Sequence, residues 1–339
     1  MQHKLSEGPL LNERGNLNEA GYAFSLVKDY DRKAIKANSM RIKEWDYYYI
    51  GNDEYGIALT IADNSYMNLM SVSILDFKKP NFITKSYMQF FSNGKVGLPK
   101  SSKIGDVCFS SKNCRMNFYN DGNVRHLLCW FKNLKDGKDF TCDVRLTETN
   151  KDSMVIATPF DKDKHFYYNQ KINCLQASGS ATFDGITYSL DNCYGVLDWG
   201  RGVWTYSNTW YWASMSGIYN GNRIGFNLGY GFGNTSAATE NVLFYKDRAY
   251  KLNDVNFGIP NDGTKEIDYM KPWHFTSKDG SIDMIFEPII DRHDDTNAVV
   301  LKSLQHQVFG KFSGYIIVEG EKVEFNNMLG FAEKVRNCW

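Results

Sequence analysis

The sequence predicts an all-β protein, on three observations: short runs of alternating polarity, glycine turns punctuating them, and no convincing long amphipathic helix. The runs are Tyr47 to Leu59, Phe140 to Leu146, Ile186 to Leu190, Trp273 to Ser277, Ile282 to Phe286 and Tyr315 to Val318. Between them fall Asn120-Asp121-Gly122, Asp136-Gly137, Asp184-Gly185, Asn220-Gly221, Asp279-Gly280 and Glu319-Gly320. Such pairs suit tight hairpins, because glycine and its neighbour accept the positive φ those turns require. One short helix is expected near Asn18 to Leu26. Many short strands joined this way make an antiparallel barrel or sandwich.

At 339 residues the chain exceeds what one hydrophobic core usually serves, so two β-domains are expected, 1–190 and 191–339. An apolar fraction of 42%, with 15% aromatic residues, is enough to bury a core. Lys plus Arg equals Asp plus Glu at 39 each, so the whole-chain field offers no footprint for nucleic acid or an anionic membrane. Two short basic groupings, Lys33-Ala34-Ile35-Lys36 and Lys162-Asp163-Lys164, read as solvated faces.

No run is long enough to span a bilayer and the N-terminal residues lack a signal-like apolar stretch, so the expectation is a cytoplasmic protein without membrane insertion. Seven cysteines without paired C-x-x-C spacing suggest neither a disulfide framework nor a zinc site, and are expected as mostly buried free thiols. There is no phosphate-binding loop, dinucleotide fingerprint, nucleophile elbow or H-E-x-x-H, so no cofactor or metal is expected. Nothing in the sequence speaks to oligomeric state.

The densest feature is Asp198 to Trp212, which holds four of the eight tryptophans: Trp199, Trp204, Trp210 and Trp212. A hairpin about Asn220-Gly221 pairs Tyr219 with Asn222. Tyr211, Ala213 and Met215 then face Tyr230, Leu228 and Phe226, which makes an apolar core side. On the other side Trp210, Trp212, Ser214 and Ser216 face Gly231, Gly229, Asn227 and Gly225. The glycines leave room there, either for indoles lying over backbone or against a neighbouring domain, or for a ligand.

Several polar residues are candidates for chemistry. Asp198 and Arg201, three apart around Gly200, suggest an irregular turn whose carboxylate and guanidinium pair or hold backbone groups. Glu240 offers a second carboxylate that can act as general acid or base with Asp198, or simply close a turn beside Thr239 and Asn241. His306 lies between Gln305 and Gln307, whose amides can orient the imidazole for proton transfer, or merely satisfy it. Asp291-Arg292-His293-Asp294-Asp295 has hard-metal ligands but lacks the glycine and final glutamate of a calcium loop, and is expected as a solvated loop.

On five segments the chain resembles the bacterial domain-of-unknown-function family numbered 2804. They are Asp198-Trp199-Gly200-Arg201-Gly202-Val203-Trp204, Asn227-Leu228-Gly229-Tyr230-Gly231, Thr239-Glu240-Asn241, His306-Gln307-Val308-Phe309-Gly310 and Gly330-Phe331-Ala332-Glu333. Gly15-Asn16-Leu17 through Gly21-Tyr22 also fits, so the likeness spans essentially the whole chain. It departs at Thr205, where proline is expected, and at Cys338, where arginine is expected; these bear on the turn after Trp204 and on an anchoring ion pair at the end of the chain.

More distantly, Gly195-Val196-Leu197-Asp198-Trp199 is similar to the junction of paired lipocalin-like proteins, among them carotenoid hydratases, tocopherol cyclases and pericyclase-type cyclases. That resemblance implies two calycin-type barrels meeting at a junctional pocket, and carries no catalytic residue across. The expectation is therefore a small apolar ligand, isoprenoid or lipid, beside Trp204, Trp210 and Trp212, with Asp198 and Arg201 in the wall and His306 or Glu240 as proton donor. Asn227, Asn241 and Gln307 complete the candidate ligand-binding set. Carbohydrate binding or processing, and a non-catalytic structural or partner-binding role, are the alternatives.

Overall fold

The structure, a computed structural model, describes residues 2–261, 267–298 and 301–339. Among the described residues, two large antiparallel sheets hold nearly all of the strands, with one small parallel pair beside them, and the helical content is limited to the short 3-10 turns Arg32–Ala34 and Ser39–Arg41. In the first sheet one meander runs outward from Ile42–Gly51 through Tyr55–Asp63 and Met67–Asp76 to Asn81–Phe90. A second returns inward from Val107–Ser110 to the long strand Phe166–Phe183. Tyr194–Val203 then inserts between Ile42–Gly51 and Phe166–Phe183, joining the two meanders. The sheet curls far enough that Lys85 and Tyr87 reach across from one end strand to the Lys132 carbonyl.

The second sheet repeats the plan. Its first strand, Ser207–Tyr219, pairs with Asn222–Tyr230 on one side and with the last strand, Glu321–Cys338, on the other. Leu301–Val318, Ile282–Ala298 and Trp273–Thr276 continue outward from there. Past Arg248–Lys251 the chain crosses to the far edge, where Asn256 bridges Thr276 and helps to close the curl. Both sheets are thus curled antiparallel half-barrels, each wrapped around its own apolar core.

All six glycine turns connect consecutive strands, and each of their glycines has φ between 71° and 95°. The Asn220-Gly221 register is as expected: Tyr219 faces Asn222, and Ala213, Met215, Phe226 and Leu228 lie in the second core. All seven cysteines are free thiols, five of them buried.

Three expectations about local structure fail. Asn18 to Leu26 is not helical, because Gly21–Ala23 is claimed as a strand by the free edge of Met154–Pro159, and tertiary pairing overrides local preference. Tyr47 to Leu59 is two strands that turn at Asn52, whose side chain accepts from the Glu54 and Tyr55 amides. The Asp291 to Asp295 stretch is no loop; it lies inside Ile282–Ala298, paired along its length with Leu301–Val318.

The chain leaves the first sheet at Val203 and enters the second at Ser207, with Trp204 to Tyr206 between them, and the conspicuous Asp198-Trp199 pair belongs to the first sheet. Thr205 holds this turn without proline: its hydroxyl donates to the Asn208 side chain at 2.7 Å, and the Asn208 amide returns to the Thr205 carbonyl at 2.8 Å. Cys338 donates weakly to the Ser207 hydroxyl, at 3.5 Å.

Candidate functional site between the two sheets

A strand's side chains alternate, so Tyr194–Val203 divides its own polar residues between two environments. Leu197, Trp199, Arg201 and Val203 point into the first barrel, whereas Val196 and Asp198 face the second sheet. Asp198 and Arg201, three apart, therefore lie on opposite faces of a regular strand and do not pair; the expected irregular turn is absent. Arg201 is fully buried and pairs with Asp46 at 3.0 Å. Its remaining donors reach the carbonyls of Trp45, Gly200 and Pro99 at 2.8 to 2.9 Å, and its plane lies 4.2 Å from the Trp199 ring.

Asp198 instead meets Lys171, directly opposite on Phe166–Phe183, at 2.9 Å, and accepts from Asn169 at 2.5 Å. The Lys171 ammonium is also 3.9 Å from the Trp212 ring centre, so a cation of the first sheet sits on an indole of the second. Trp212 is 5% exposed. Its N–H donates to Asn227 at 2.6 Å, and Asn227 donates in turn to the Glu240 carboxylate at 3.1 Å. Gly229 is what admits that carboxylate, since a β-carbon there would stand 2.4 Å from Glu240 Oε1. Burial raises the Glu240 pKa, partly opposed by Lys171.

On the neighbouring strand Glu333 faces Trp212 and accepts from the Trp210 N–H at 2.8 Å and the Gln307 amide at 2.9 Å. Burial pushes the Glu333 pKa up to about 7, against the pull of Trp210, Lys171 and Arg292. Arg292 ties the layer to the first sheet, donating to Gln307 at 2.5 Å and to Ser73 at 2.7 Å. Asp198, Glu240 and Glu333 thus form one buried acidic layer around Lys171, all three felt by the buried Tyr167 phenol. Such a layer can hold and release a proton near neutrality.

Aromatic rings close one end of the layer. Trp204 lies 5.3 Å from Trp45, 5.6 Å from Trp210 and 4.7 Å from Phe232, all edge-on, and Tyr167 stacks on Trp45. Gly200 makes room for Trp45, whose ring would be 1.9 Å from a β-carbon there. Trp45, Trp210 and Glu240 keep solvent-accessible area although their neighbours are buried. At the other end a pocket of about 400 Å³ opens between the sheets, lined by Tyr49, Val196, Ser214 and Phe331 among others. Ser214 and Phe331 pair one rung beyond Trp212 and Glu333, on the same strand faces. The buried Tyr49 hydroxyl in its wall has no hydrogen-bond partner.

Asp198, Trp204, Trp210, Trp212, Asn227, Glu240 and Gln307 therefore come together. Asn241 is buried beside them and knits backbone, accepting from Gly229 N and donating to Asn253 O at 2.7 Å. Arg201 belongs to the first barrel's interior. His306 points the opposite way from Gln307 on its strand, hydrogen-bonded to Asp291 at 2.7 Å and stacked 3.8 Å from Tyr269. Lys171, Arg292 and Glu333 were missed. Glu333 closes one of the family segments, and Lys171 interrupts the otherwise largely uncharged run Phe166 to Leu175; both were visible signals. Among the described residues no group of three or more His, Cys, Asp or Glu is arranged to hold a metal ion, and no helix is long and apolar enough to cross a membrane.

Fold and site together define an all-β protein of two curled antiparallel sheets with an acidic, indole-rich junction. The chain belongs to the family described as domain of unknown function 2804, whose model matches residues 2–339. Among solved structures it is similar to kievitone hydratase from Nectria haematococca, at 13% identity and TM-score 0.49, covering 100% of this chain and 97% of that one. It is also similar to an AttH protein from Nitrosomonas europaea, at 13% identity and TM-score 0.44, covering 90% of this chain and 95% of that one. No curated protein matches.

Proposed function

We propose that the protein binds an apolar or amphipathic small molecule, isoprenoid or lipid in type, in the layer between its sheets, and that Glu333 moves a proton on it. The observation carrying this reading is the Glu333 carboxyl itself: buried, facing Trp212 and accepting from the Trp210 indole and the Gln307 amide, with burial pushing its pKa up to about 7. A carboxylic acid that is still protonated in water-poor surroundings is what adding a proton to an unactivated apolar ligand requires, and the carboxylate left behind is the base that can take one back. The 400 Å³ pocket one rung away offers space, with the unpaired Tyr49 hydroxyl as a polar anchor. Lys171 and Asp198 neutralise each other and fix the Trp212 wall, leaving Glu333 and Glu240 as the groups that exchange protons. The sugar-binding alternative needs free indole faces, and here Lys171 covers Trp212 while Trp204 and Phe232 crowd Trp210.

The test begins with organic extraction of protein purified from its host, followed by mass spectrometry. The expected result is a co-purifying apolar compound that quenches tryptophan fluorescence saturably when added back. Glu333→Gln should retain that quenching and lose conversion of the compound. Empty extracts, together with no saturable quenching by a panel of isoprenoid alcohols and fatty acids, would discard the reading.

A further inference from the structure

The two basic groupings that look like ordinary solvated faces in the sequence converge in space. Lys36 and Arg41 on one side, and Lys162 and Lys164 on the other, line a pocket of about 540 Å³. Asp163 is the single carboxylate in the lining, so four cations face one anion. His165 forms its floor, 7% exposed, with Nδ1 against the Asp163 carbonyl at 2.8 Å. That contact assigns the Nδ1 proton to the carbonyl, so His165 shapes the floor and the donors that meet an anion are the lysines and Arg41. Burial first, then Lys162 and Arg41, depress the His165 pKa, so the positive field of these side chains is felt at the floor.

Backbone hydrogen bonds tie both walls of this pocket to segments that carry the aromatic end of the inter-sheet layer. Trp204 N donates to the Arg41 carbonyl at 3.1 Å, and Phe160 N donates to the His165 carbonyl at 3.0 Å. Arg41 also donates to the Trp339 carbonyl, and Trp339 packs against the cluster that holds Trp204, Tyr167 and Phe232. In that cluster the indole nitrogens of Trp204 and Trp339 are buried without a hydrogen-bond partner. Indole nitrogen only donates, and lysine and arginine only donate. The uncommitted polar groups from pocket to aromatic layer therefore call for acceptor atoms carrying negative charge.

We propose that this pocket is an anion site for a phosphate or diphosphate group, the head of a ligand whose apolar body lies in the aromatic layer. The body part rests on the function proposed above; the anion site does not. Three titrations separate the two. Inorganic pyrophosphate, followed by calorimetry, probes the pocket alone; farnesol, followed by tryptophan quenching, probes the layer alone; farnesyl diphosphate probes both.

Pyrophosphate is expected to bind, and farnesyl diphosphate to bind at least about tenfold more tightly than farnesol. The double variant Lys36→Glu/Lys162→Glu, at two exposed positions, should abolish pyrophosphate binding and the diphosphate advantage. It should leave farnesol quenching and the thermal melt within about twofold and a degree or two of wild type. The milder Lys36→Gln/Lys162→Gln should fall between. Pyrophosphate binding without farnesol quenching would keep the anion site, as one for free phosphate, and sink the apolar-ligand reading. Absence of pyrophosphate binding, or equal affinity of farnesol and its diphosphate in wild type and variant, overturns the anion site.

Discussion

The two faces of Tyr194–Val203 carry charged residues three positions apart along one strand, about 10 Å, and use them in opposite ways. Inside the first barrel, Arg201 has a carboxylate partner and three backbone carbonyls and lies against Trp199, so that nothing is left for a visitor. Facing the second sheet, Asp198 has Lys171, but the layer around it contains two further carboxylates, Glu240 and Glu333, whose burial raises their pKa values. Saturated charge fixes geometry; surplus carboxylate in a buried layer stores protons. The contrast teaches that burial of an ionisable side chain is not the mark of a site, whereas incomplete compensation is.

The contrast breaks first at Arg201. Removing the guanidinium in Arg201→Ala strands the buried Asp46 carboxylate, whose pKa burial already raises, and should cost about 3–5 kcal/mol in urea unfolding. A loss below about 1 kcal/mol would mean that the interior of the first barrel is hydrated and that the two faces are not different in kind. Gly200→Ala tests the opposite face of the same strand. Its β-carbon collides with the Trp45 indole, so a loss of about 2–3 kcal/mol is expected, along with a shift of tryptophan emission as the aromatic end rearranges.

The turns and the 211–230 hairpin register were legible in the sequence because they are local: Asn220-Gly221 fixes its own pairing over a few residues. The insertion of 194–203 between strands 42–51 and 166–183 was not, since no short-range pattern reports a partner some 150 residues away. Half of the site shared that fate. Asp198 could be seen, but its counter-ion could not, because Lys171 becomes its neighbour only through strand pairing. Arg292 was hidden in an Asp- and His-rich stretch that reads as loop, and the choice between His306 and Gln307 depended on which face of the strand turns inward. Polarity alone cannot say that.

Glu333→Gln sharpens the comparison through pH. A glutamate that titrates near 4.5 in the unfolded chain and near 7 in the fold is more protonated when folded, so stability falls as pH rises between these values and the penalty is complete above about 7. The groups around it are Trp210, Gln307, Lys171, Arg292 and Asp198; the two cations are shared with Asp198 and Gln307, and burial outweighs their pull. Unfolding curves at pH 5 and pH 8 should show wild type losing about 2–3 kcal/mol more than the variant over that interval, while the lost hydrogen-bond acceptor lowers the variant equally at both pH values. Equal slopes would show Glu333 ionised throughout, and with it the proton store would vanish.

The smallest effect is expected at His306, and it decides which face of the second sheet carries chemistry. The imidazole stacks on Tyr269 and bonds Asp291, both on the side away from Gln307, so His306→Phe keeps the ring contact and loses only the hydrogen bond. A cost of about 0.5–1 kcal/mol should appear in unfolding. Tryptophan quenching by an apolar ligand, and any conversion that Glu333→Gln abolishes, should remain unchanged. If instead conversion drops in His306→Phe while Glu333→Gln retains it, proton transfer runs on the face lining the second sheet's own core, beside Tyr269 and Asp291, and the acidic layer between the sheets is structural after all.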